Sequence, residues 1–400
     1  DLGNTVVVVE HDDQIMREAD YIIDVGPLAS HLGGEIVATG TYKEICLNKK
    51  SLTGKYLSGE LRVEIEKPNR KLTNKIQLTH CTFHNLKNID VTFPLNMLTV
   101  VTGVSGSGKT SLVKHILYPA VKNALGDFNT KPGDFGELKG DILSIGMIEM
   151  VDQNPIGKSS RSNPVTYIKA YDDIRNLFAN VHLSKVRGYT PGYFSFNVDG
   201  GRCDTCKGEG ETIVEMQFLA DVHLTCESCK GKRFKQELLE VEFKGKNIYA
   251  ILEMSVDEAY QFFQQEKKIA EKIKCLQDVG LGYIKLGQSS DTLSGGEAQR
   301  VKLASFLDKG FDHKRILFVF DEPTTGLHFH DIHKLLHSFQ ALIEKGHSVL
   351  VIEHNPDVIR NADYIIDLGP EGGEAGGQLL FEGSLEAFKK NKKGYTIKYL

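Results

Sequence analysis

The strongest constraint on the fold is a glycine-rich loop that follows a short β-rich run, Leu98 to Thr102. Apolar residues with helical spacing follow the loop, so strand, loop and helix come in the order that a phosphate-binding loop requires. The pattern predicts an α/β domain built around a phosphate loop. Its residues are Gly103, Val104, Ser105, Gly106, Ser107, Gly108, Lys109, Thr110 and Ser111.

Each residue type in this loop suits bound ATP. The glycines let backbone N–H groups surround the β-phosphate, and the helix N-terminus adds partial positive charge. We expect Lys109 to reach the β- and γ-phosphate oxygens and Thr110 to bind Mg²⁺. A plain glycine turn before a helix is the alternative, and the complete eight-residue pattern argues against it.

A second strand end carries acidic residues. The apolar run Ile316 to Phe320 leads into Asp321-Glu322-Pro323. We expect Asp321 to support Mg²⁺ and Glu322 to orient and deprotonate the attacking water. Acidic residues often end a strand, so this assignment depends on their position after the phosphate loop.

A third motif identifies the kind of phosphate-loop domain. Leu293-Ser294-Gly295-Gly296-Glu-Ala-Gln-Arg lies shortly before the acidic pair, where ATP-binding-cassette (ABC) ATPases carry their signature. Ser294 and both glycines can present donors to a γ-phosphate held by an opposing domain; a simple helix cap is the alternative. By resemblance, Gln153 corresponds to the Q-loop glutamine and His354 to the switch histidine.

The chain also contains one long internal repeat. Residues 1–57 align without gaps with residues 344–400, and 24 of the 57 positions are identical. This pattern favours tandem duplication of a large domain. We therefore expect residues 1–58 to be the C-terminal remnant of a first ABC domain in a fragmentary chain, with His11 equivalent to His354. Residues 59–75 would be a linker and residues 76–400 a second domain.

A span of 190 residues separates Gly103 from Leu293, which is long for an ABC domain and predicts an insertion over about residues 154–288. The insertion contains Cys203, Cys206, Cys226 and Cys229 as two CxxC pairs. Four thiolates at this spacing suit a closed, structural Zn²⁺ site in a module over about residues 203–229. Redox chemistry or disulfides are the alternatives. The segment Glu211 to Leu224 is expected to form a hairpin.

Basic and aromatic residues surround the cysteines, which fits contact with nucleic acid. A solvated charged face with aromatics in the local core is an equally reasonable interpretation. The residues are Lys158, Arg161, Lys185, Arg187, Lys230, Lys232, Arg233, Lys235, Tyr189, Tyr193, Phe194 and Phe196.

Composition narrows the setting of the protein. A net charge of -5 excludes a globally basic chain, so DNA binding would need a local patch. The apolar runs are too short to span a bilayer, and the first residues lack the pattern of a signal peptide, so we expect none. Two CxxC pairs among seven cysteines fit a reducing compartment. We expect a cytoplasmic protein without a membrane partner.

Together these motifs resemble those of the UvrA family, the damage-recognition ATPases of bacterial excinucleases. The resemblance rests on the phosphate loop, Pro155 to Pro164, the paired CxxC motifs, the signature, and Asp321 to His328. It implies an ATPase that finds distorting lesions in double-stranded DNA, acts as a dimer, loads a UvrB-like helicase and is not itself the nuclease. A drug-resistance paralogue and a transporter ATPase are the alternatives; the zinc module argues against the transporter.

Overall fold

The computed structural model describes residues 3–27, 33–157, 159, 161–214, 216, 222–307, 315–391 and 394–400. The chain forms two compact units. One unit consists of residues 1–152 with 310–400, and the other of residues 153–309.

In the first unit, the N-terminal copy of the repeat forms a two-stranded antiparallel hairpin with three short helices. Its small core of Met16, Ala38, Ile45 and Leu57 packs against Phe329. The elements are α1 (Asp13–Glu18), β1 (Ile22–Gly26), β2 (Glu35–Gly40), α2 (Tyr42–Leu47) and α3 (Leu52–Leu57).

The two copies of the repeat differ in the burial of their first apolar run. Val6 and Val9 are 80% and 92% exposed, whereas the equivalent Val349 and Ile352 are both 1% exposed. The second copy is buried because its strand belongs to a six-stranded sheet. The first copy contributes no strand there.

The segment that follows the first copy has no helix or strand over residues 60–74. It is nevertheless anchored to the first unit. The Asn361 side-chain amide donates to the Val63 carbonyl at 2.7 Å. Asp363 forms ion pairs with Lys67 at 2.9 Å and Arg70 at 3.2 Å.

Two sheets organise the rest of the first unit. Their strands are β3 (Lys75–Cys81), β4 (Ile89–Pro94), β5 (Leu98–Gly103), β6 (Leu138–Gly140), β7 (Met147–Val151), β12 (Ile316–Asp321), β13 (Ser348–Ile352), β14 (Tyr364–Gly369) and β15 (Gln378–Ser384). The larger sheet is mostly parallel, with strand order β15-β14-β5-β13-β12-β7 and β15 antiparallel at one edge. Its four inner strands are buried and mostly apolar because both faces are covered. The smaller sheet is antiparallel, with the order β4-β3-β6.

The helices of this unit cover its sheets. The segment after the phosphate loop begins as a π-helix, Ser111–Leu117, and continues as α4 (Tyr118–Ala124). Its apolar residues Leu112, Val113, Ile116 and Leu117 are buried in the main core. The remaining α-helices are α12 (Phe329–Glu344), α13 (Pro356–Arg360) and α14 (Leu385–Phe388).

The second unit combines a helical body with two small hairpins. The strands are β8 (Glu211–Val214), β9 (Val222–Thr225), β10 (Glu242–Phe243) and β11 (Lys246–Asn247). The helices are α5 (Pro164–Tyr167), α6 (Ala170–Ala179), α7 (His182–Val186), α8 (Ile248–Glu253), α9 (Val256–Phe262), α10 (Lys267–Asp278) and α11 (Gly295–Leu307). β8 pairs with β9 over the segment predicted to be a hairpin, which confirms that prediction for the described residues.

Candidate functional site

The phosphate loop joins the end of β5 to the π-helix Ser111–Leu117. Gly103, Gly106 and Gly108 have φ angles of 128°, 75° and 102°, which disfavour side chains. Lys109 turns back over the loop, and its Nζ donates to the carbonyls of Gly103 at 2.9 Å and Val104 at 2.8 Å. The loop is therefore a curled backbone with a cation at its centre.

Two features of the loop fit a phosphate ligand. The hydroxyl oxygen of Ser107 is buried without a hydrogen-bond partner among the described residues. Burial lowers the pKa of Lys109, while the carboxylates of Glu322, Asp367 and Asp321 oppose that shift. An anion that accepted from both side chains would satisfy the hydroxyl and stabilise the buried ammonium. Two further residues of the predicted phosphate loop have different surroundings. Thr110 is exposed to solvent, and the Ser111 hydroxyl already has a hydrogen-bond partner, Nδ1 of His84 at 3.1 Å.

A second glycine segment, residues 369–377, supports the phosphate loop from outside. The backbone N–H of Gly373 donates to the Gly106 carbonyl at 3.1 Å, and that of Gly377 donates to the Ser107 carbonyl at 3.2 Å. The Asn85 amide links both segments, donating to the carbonyls of Gly106 at 2.8 Å and Gly373 at 3.1 Å. A side chain at Gly377 would collide with the Asn85 carbonyl at 1.8 Å. Sequence reasoning missed this support.

The acidic pair and the predicted switch histidine meet beside the loop. Asp321 forms an ion pair with Lys114, on the helix that follows the phosphate loop. His354 Nε2 lies 3.6 Å from Glu322 Oε1. Burial lowers the pKa of His354, and the Lys109 charge lowers it further. The ends of β12 and β13 thus place Asp321, Glu322 and His354 near Lys109.

Glu353, which sequence reasoning also missed, lies between these strand ends. Its side chain is 3% exposed. One carboxylate oxygen accepts from the Thr324 backbone N–H at 2.9 Å and from the Thr324 hydroxyl. The other accepts from the backbone N–H groups of His354 at 2.6 Å and Asn355 at 2.9 Å. One buried carboxylate therefore fastens the loop after β12 to the loop after β13.

In the second unit, Ser294 begins the signature helix α11. Its hydroxyl accepts from the Glu297 N–H at 3.2 Å, and its own N–H donates to the Glu297 carboxylate at 2.8 Å. This reciprocal pair is a capping box. Ser294 keeps part of its surface open to solvent. Capping and presentation of the hydroxyl to a ligand are therefore compatible.

Gln153 lies beside the signature glycine Gly295 in the same unit. A side-chain carbon at Gly295 would lie only 3.1 Å from Cβ and Oε1 of Gln153, so glycine allows this close approach. Tyr283 secures the helix start by donating its hydroxyl to Glu297 at 2.7 Å. The predicted Q-loop residue and Gly295 thus form one local group.

The four cysteines of the CxxC pairs form a compact cluster. Their sulfur atoms all lie within 4.8 Å of one another, and none forms a disulfide. Tetrahedral Zn²⁺ with Zn–S bonds near 2.3 Å needs sulfur separations of about 3.8 Å. The Cys206–Cys229 and Cys203–Cys226 separations of 3.6 and 4.0 Å fit that requirement.

Both CxxC pairs turn in the same way. Lys207 and Gly208 after the first pair, and Lys230 and Gly231 after the second, all have positive φ angles. The Gly210 N–H donates to the Cys206 sulfur at 3.3 Å. Such N–H contacts favour the thiolate that zinc requires. Burial raises the pKa of Cys203, but hydrogen bonds from backbone N–H groups and neighbouring cysteines outweigh it and lower the pKa to about 6. At Cys206 and Cys229 burial dominates and raises the pKa, so zinc itself would be needed to hold those two thiolates.

Several of the predicted nucleic-acid contacts have partners within the protein. Phe194 and Phe196 are fully buried, as the local-core interpretation expects, and the Arg233 guanidinium lies 5.9 Å from the centre of the Phe196 ring. Three further basic residues form ion pairs: Arg161 with Glu209 at 2.6 Å, Arg187 with Glu240 at 2.5 Å and Lys235 with Asp204 at 2.9 Å.

Two lysines next to the second CxxC pair differ from these residues. Lys230 and Lys232 have no ion pair within the described part of the chain. Lys158, another predicted contact, lies outside the described residues. Lys185 and Arg233 likewise have no ion pair within the described residues, so Lys230 and Lys232 are the two lysines next to the second CxxC pair whose charges are not paired with a carboxylate.

An ABC-type phosphate-loop protein is defined by features already described: the mostly parallel sheet with its phosphate loop, the signature at the start of α11, and the four-cysteine cluster. Proteins named UvrABC system protein A match the whole chain: one from Staphylococcus epidermidis is 55% identical over 401 residues, and one from Staphylococcus aureus strain COL is 53% identical. Over its whole length the chain is therefore similar to part of the proteins of the UvrA family.

A solved structure shows the same similarity. The crystal structure of UvrA2 from Deinococcus radiodurans superimposes with a TM-score of 0.91 and 42% identity, covering 99% of this chain and 48% of that one. The chain spans 42% of the length of the two staphylococcal relatives. No family model matches it. Within the described ranges, every helix is too short or too polar to cross a membrane.

The cysteine cluster yields a metal prediction. We expect the purified chain to carry about one Zn²⁺, and the double variant Cys203→Ser, Cys206→Ser to lose the metal and unfold the module while retaining ATP binding. Structural zinc sites in finger peptides contribute about 10 to 16 kcal/mol, so the local loss should be large. Metal analysis, circular dichroism and nucleotide titration measure the three effects.

The matched control is Cys46→Ser, which changes a cysteine outside the cluster and should leave the zinc content unchanged. A wild-type protein prepared without chelators that contains no zinc would contradict the assignment.

Proposed function

We propose that this chain is the ATP-hydrolysing, DNA-binding part of a UvrA-type protein that recognises distorting lesions in double-stranded DNA during nucleotide excision repair. The observation that carries the proposal is the coexistence of a phosphate-loop site and a four-cysteine module in a chain 55% identical to UvrABC system protein A. Incision and helicase activity would belong to partners, including a UvrB-like protein.

The proposed ATP site uses the residues around the phosphate loop. Backbone N–H groups from Gly103 to Ser111 and the Lys109 ammonium would hold the phosphates, with Lys109 exchanging its loop carbonyls for phosphate oxygens. Thr110 and Asp321 would hold Mg²⁺, which supplies charge neutralisation when bound. The Lys114 ion pair with Asp321 would then have to rearrange.

Hydrolysis would depend on Glu322 and His354. Glu322 is half-exposed beside His354, so it can orient a water molecule and accept its proton. His354 has a lowered pKa, which favours a neutral imidazole that can donate one hydrogen bond to a γ-phosphate oxygen. Gln153 would contact the metal and water from the Q-loop.

We infer that a complete hydrolytic site needs two cassettes. ABC domains place the signature of one domain against the nucleotide of another. Ser294, Gly295 and Gly296 would therefore serve the nucleotide of a paired domain, as in a head-to-tail homodimer.

DNA contact is assigned to the cysteine module. Lys230 follows Cys229 directly, Lys232 lies two residues further on, and both lack ion pairs in the described part of the chain. Unpaired lysines can neutralise phosphates without first breaking a salt bridge. The zinc site would fix their placement by holding both CxxC turns together.

The two-cassette site makes hydrolysis depend on pairing. Lys109→Ala and Ser294→Arg chains should each be inactive alone, and mixing them should restore part of the activity. One mixed pairing joins an intact phosphate loop to an intact signature. Loss of even one charge-stabilising donor typically lowers a rate about 100- to 1000-fold. Phosphate release from the mixture measures the recovery.

Dilution supplies the control, since the rate of the wild-type chain should be second order in protein. Constant specific activity down to nanomolar protein, together with an active Ser294→Arg chain, would show that one chain is sufficient.

The DNA assignment makes a salt-dependence prediction. Lys230→Ala with Lys232→Ala should weaken binding to all DNA sequences and lower the slope of log K against log salt by up to about 1.8, or about 0.9 per phosphate contact. Fluorescence anisotropy at several salt concentrations measures the slope.

Lys235→Ala is the matched control, because Lys235 is paired with Asp204 and should change the slope less. Zinc content must stay equal in all three proteins. An unchanged slope in the double variant would place Lys230 and Lys232 on a solvated face without DNA contact.

A further inference from the structure

Glu353 occupies an unusual position for an acidic residue. It is almost fully buried at the end of β13, although a buried carboxylate is costly unless hydrogen bonds compensate for lost water. Its compensation consists of four donors, two from Thr324 and one each from His354 and Asn355. All four donors belong to the two loops that carry Glu322 and His354.

The loop after β12 has a conformation that needs support. Glu322 has a φ angle of 45°, in the left-handed region that residues other than glycine seldom adopt. Its backbone N–H donates to the Ile352 carbonyl at 2.9 Å, and Thr324 is bound to Glu353 two residues later. Strained backbone persists where surrounding contacts determine it strongly. Glu353 supplies two of those contacts.

The loop after β13 is held by the other carboxylate oxygen. The His354 and Asn355 N–H groups both donate to it, which sets the backbone direction from which the imidazole projects. The resulting distance between His354 Nε2 and Glu322 Oε1 is 3.6 Å. One side chain thus links the backbones of both residues assigned to hydrolysis.

We propose that Glu353 is a positioning residue for ATP hydrolysis, holding Glu322 and His354 in register through the backbones of their loops. The inference rests on the proposed ATPase function. Glu353 does not bind the nucleotide in this account. Its loss should therefore affect the chemical step more than nucleotide binding.

The internal repeat provides a matched control. Glu10 is the equivalent residue in the first copy, where it is exposed and accepts from the His11 N–H at 2.8 Å. Glu10→Gln is therefore the same substitution at the equivalent position outside the proposed site. It should leave hydrolysis unchanged.

Glu353→Gln preserves size but turns one acceptor end into an NH₂ group that faces backbone N–H donors. Full-length chains should be assayed at a protein concentration where the wild type is paired and active. We expect kcat to fall about 10- to 100-fold, with KM and the ATP dissociation constant unchanged within about twofold. A merely structural defect would change binding and thermal stability as well.

Thr324→Val provides a milder test should Glu353→Gln fail to fold. It removes the hydroxyl donor and keeps the backbone one, so kcat should fall less. Adding Glu353→Gln should give a loss smaller than the product of the two single effects.

The results distinguish a failure of the proposed ATPase function from a failure of the positioning role of Glu353. A wild-type chain that binds no ATP, or remains inactive when paired, would overturn the proposed function. An active wild type with unchanged kcat in Glu353→Gln would overturn the positioning role, as would unchanged kcat in Thr324→Val if Glu353→Gln cannot be purified folded.

Discussion

Parallel pairing of β5, β13 and β12 is the constraint on which the candidate ATP site depends. In this register Ile352 lies opposite both Val101 and Asp321, so the three strands end at one edge of the sheet. The phosphate loop, the acidic pair and His354 then emerge side by side from segments far apart in sequence. A one-residue shift of a strand would reverse its side chains and separate these groups. The apolar runs that bury both sheet faces are therefore as necessary as the polar residues they position.

The central strands, the phosphate loop and the cysteine cluster were predictable because each signal is local. A buried parallel strand appears as a mostly apolar run, and β5 and β12 fall within a residue of the predicted bounds. The CxxC spacing already brings two sulfurs together, so only the meeting of the two pairs required the fold. In the structure the two pairs do come together, with all four sulfur atoms within 4.8 Å of one another. The roles of individual ATP-site residues and the domain boundaries at residues 58 and 75 stay predictions.

Pairings between distant residues could not be predicted from the sequence. The sequence around Glu353 does not predict its hydrogen bonds with Thr324. The sequence around Asn85 likewise does not predict that its amide donates to the carbonyls of Gly106 and Gly373. Ion pairs could not be predicted from the sequence either. Arg161 and Arg187 are candidate DNA contacts in the sequence, but in the structure they pair with Glu209 and Glu240. Lys185, Lys230, Lys232 and Arg233, which keep no ion pair in the described ranges, are a smaller set than the sequence suggested. Three-dimensional structure thus narrows the DNA-contact hypothesis and adds supporting residues to the ATP site.

The central claim is that Lys109 and its loop form an ATP site, and calorimetric titration of the full chain with MgATP tests it most directly. We expect about one ATP bound per chain, with Lys109→Ala weakening the affinity roughly 10- to 100-fold through loss of a charge-assisted hydrogen bond. Glu322→Gln should retain wild-type affinity, since Glu322 is assigned to the attacking water. Equal affinity in wild-type and Lys109→Ala chains would contradict the account.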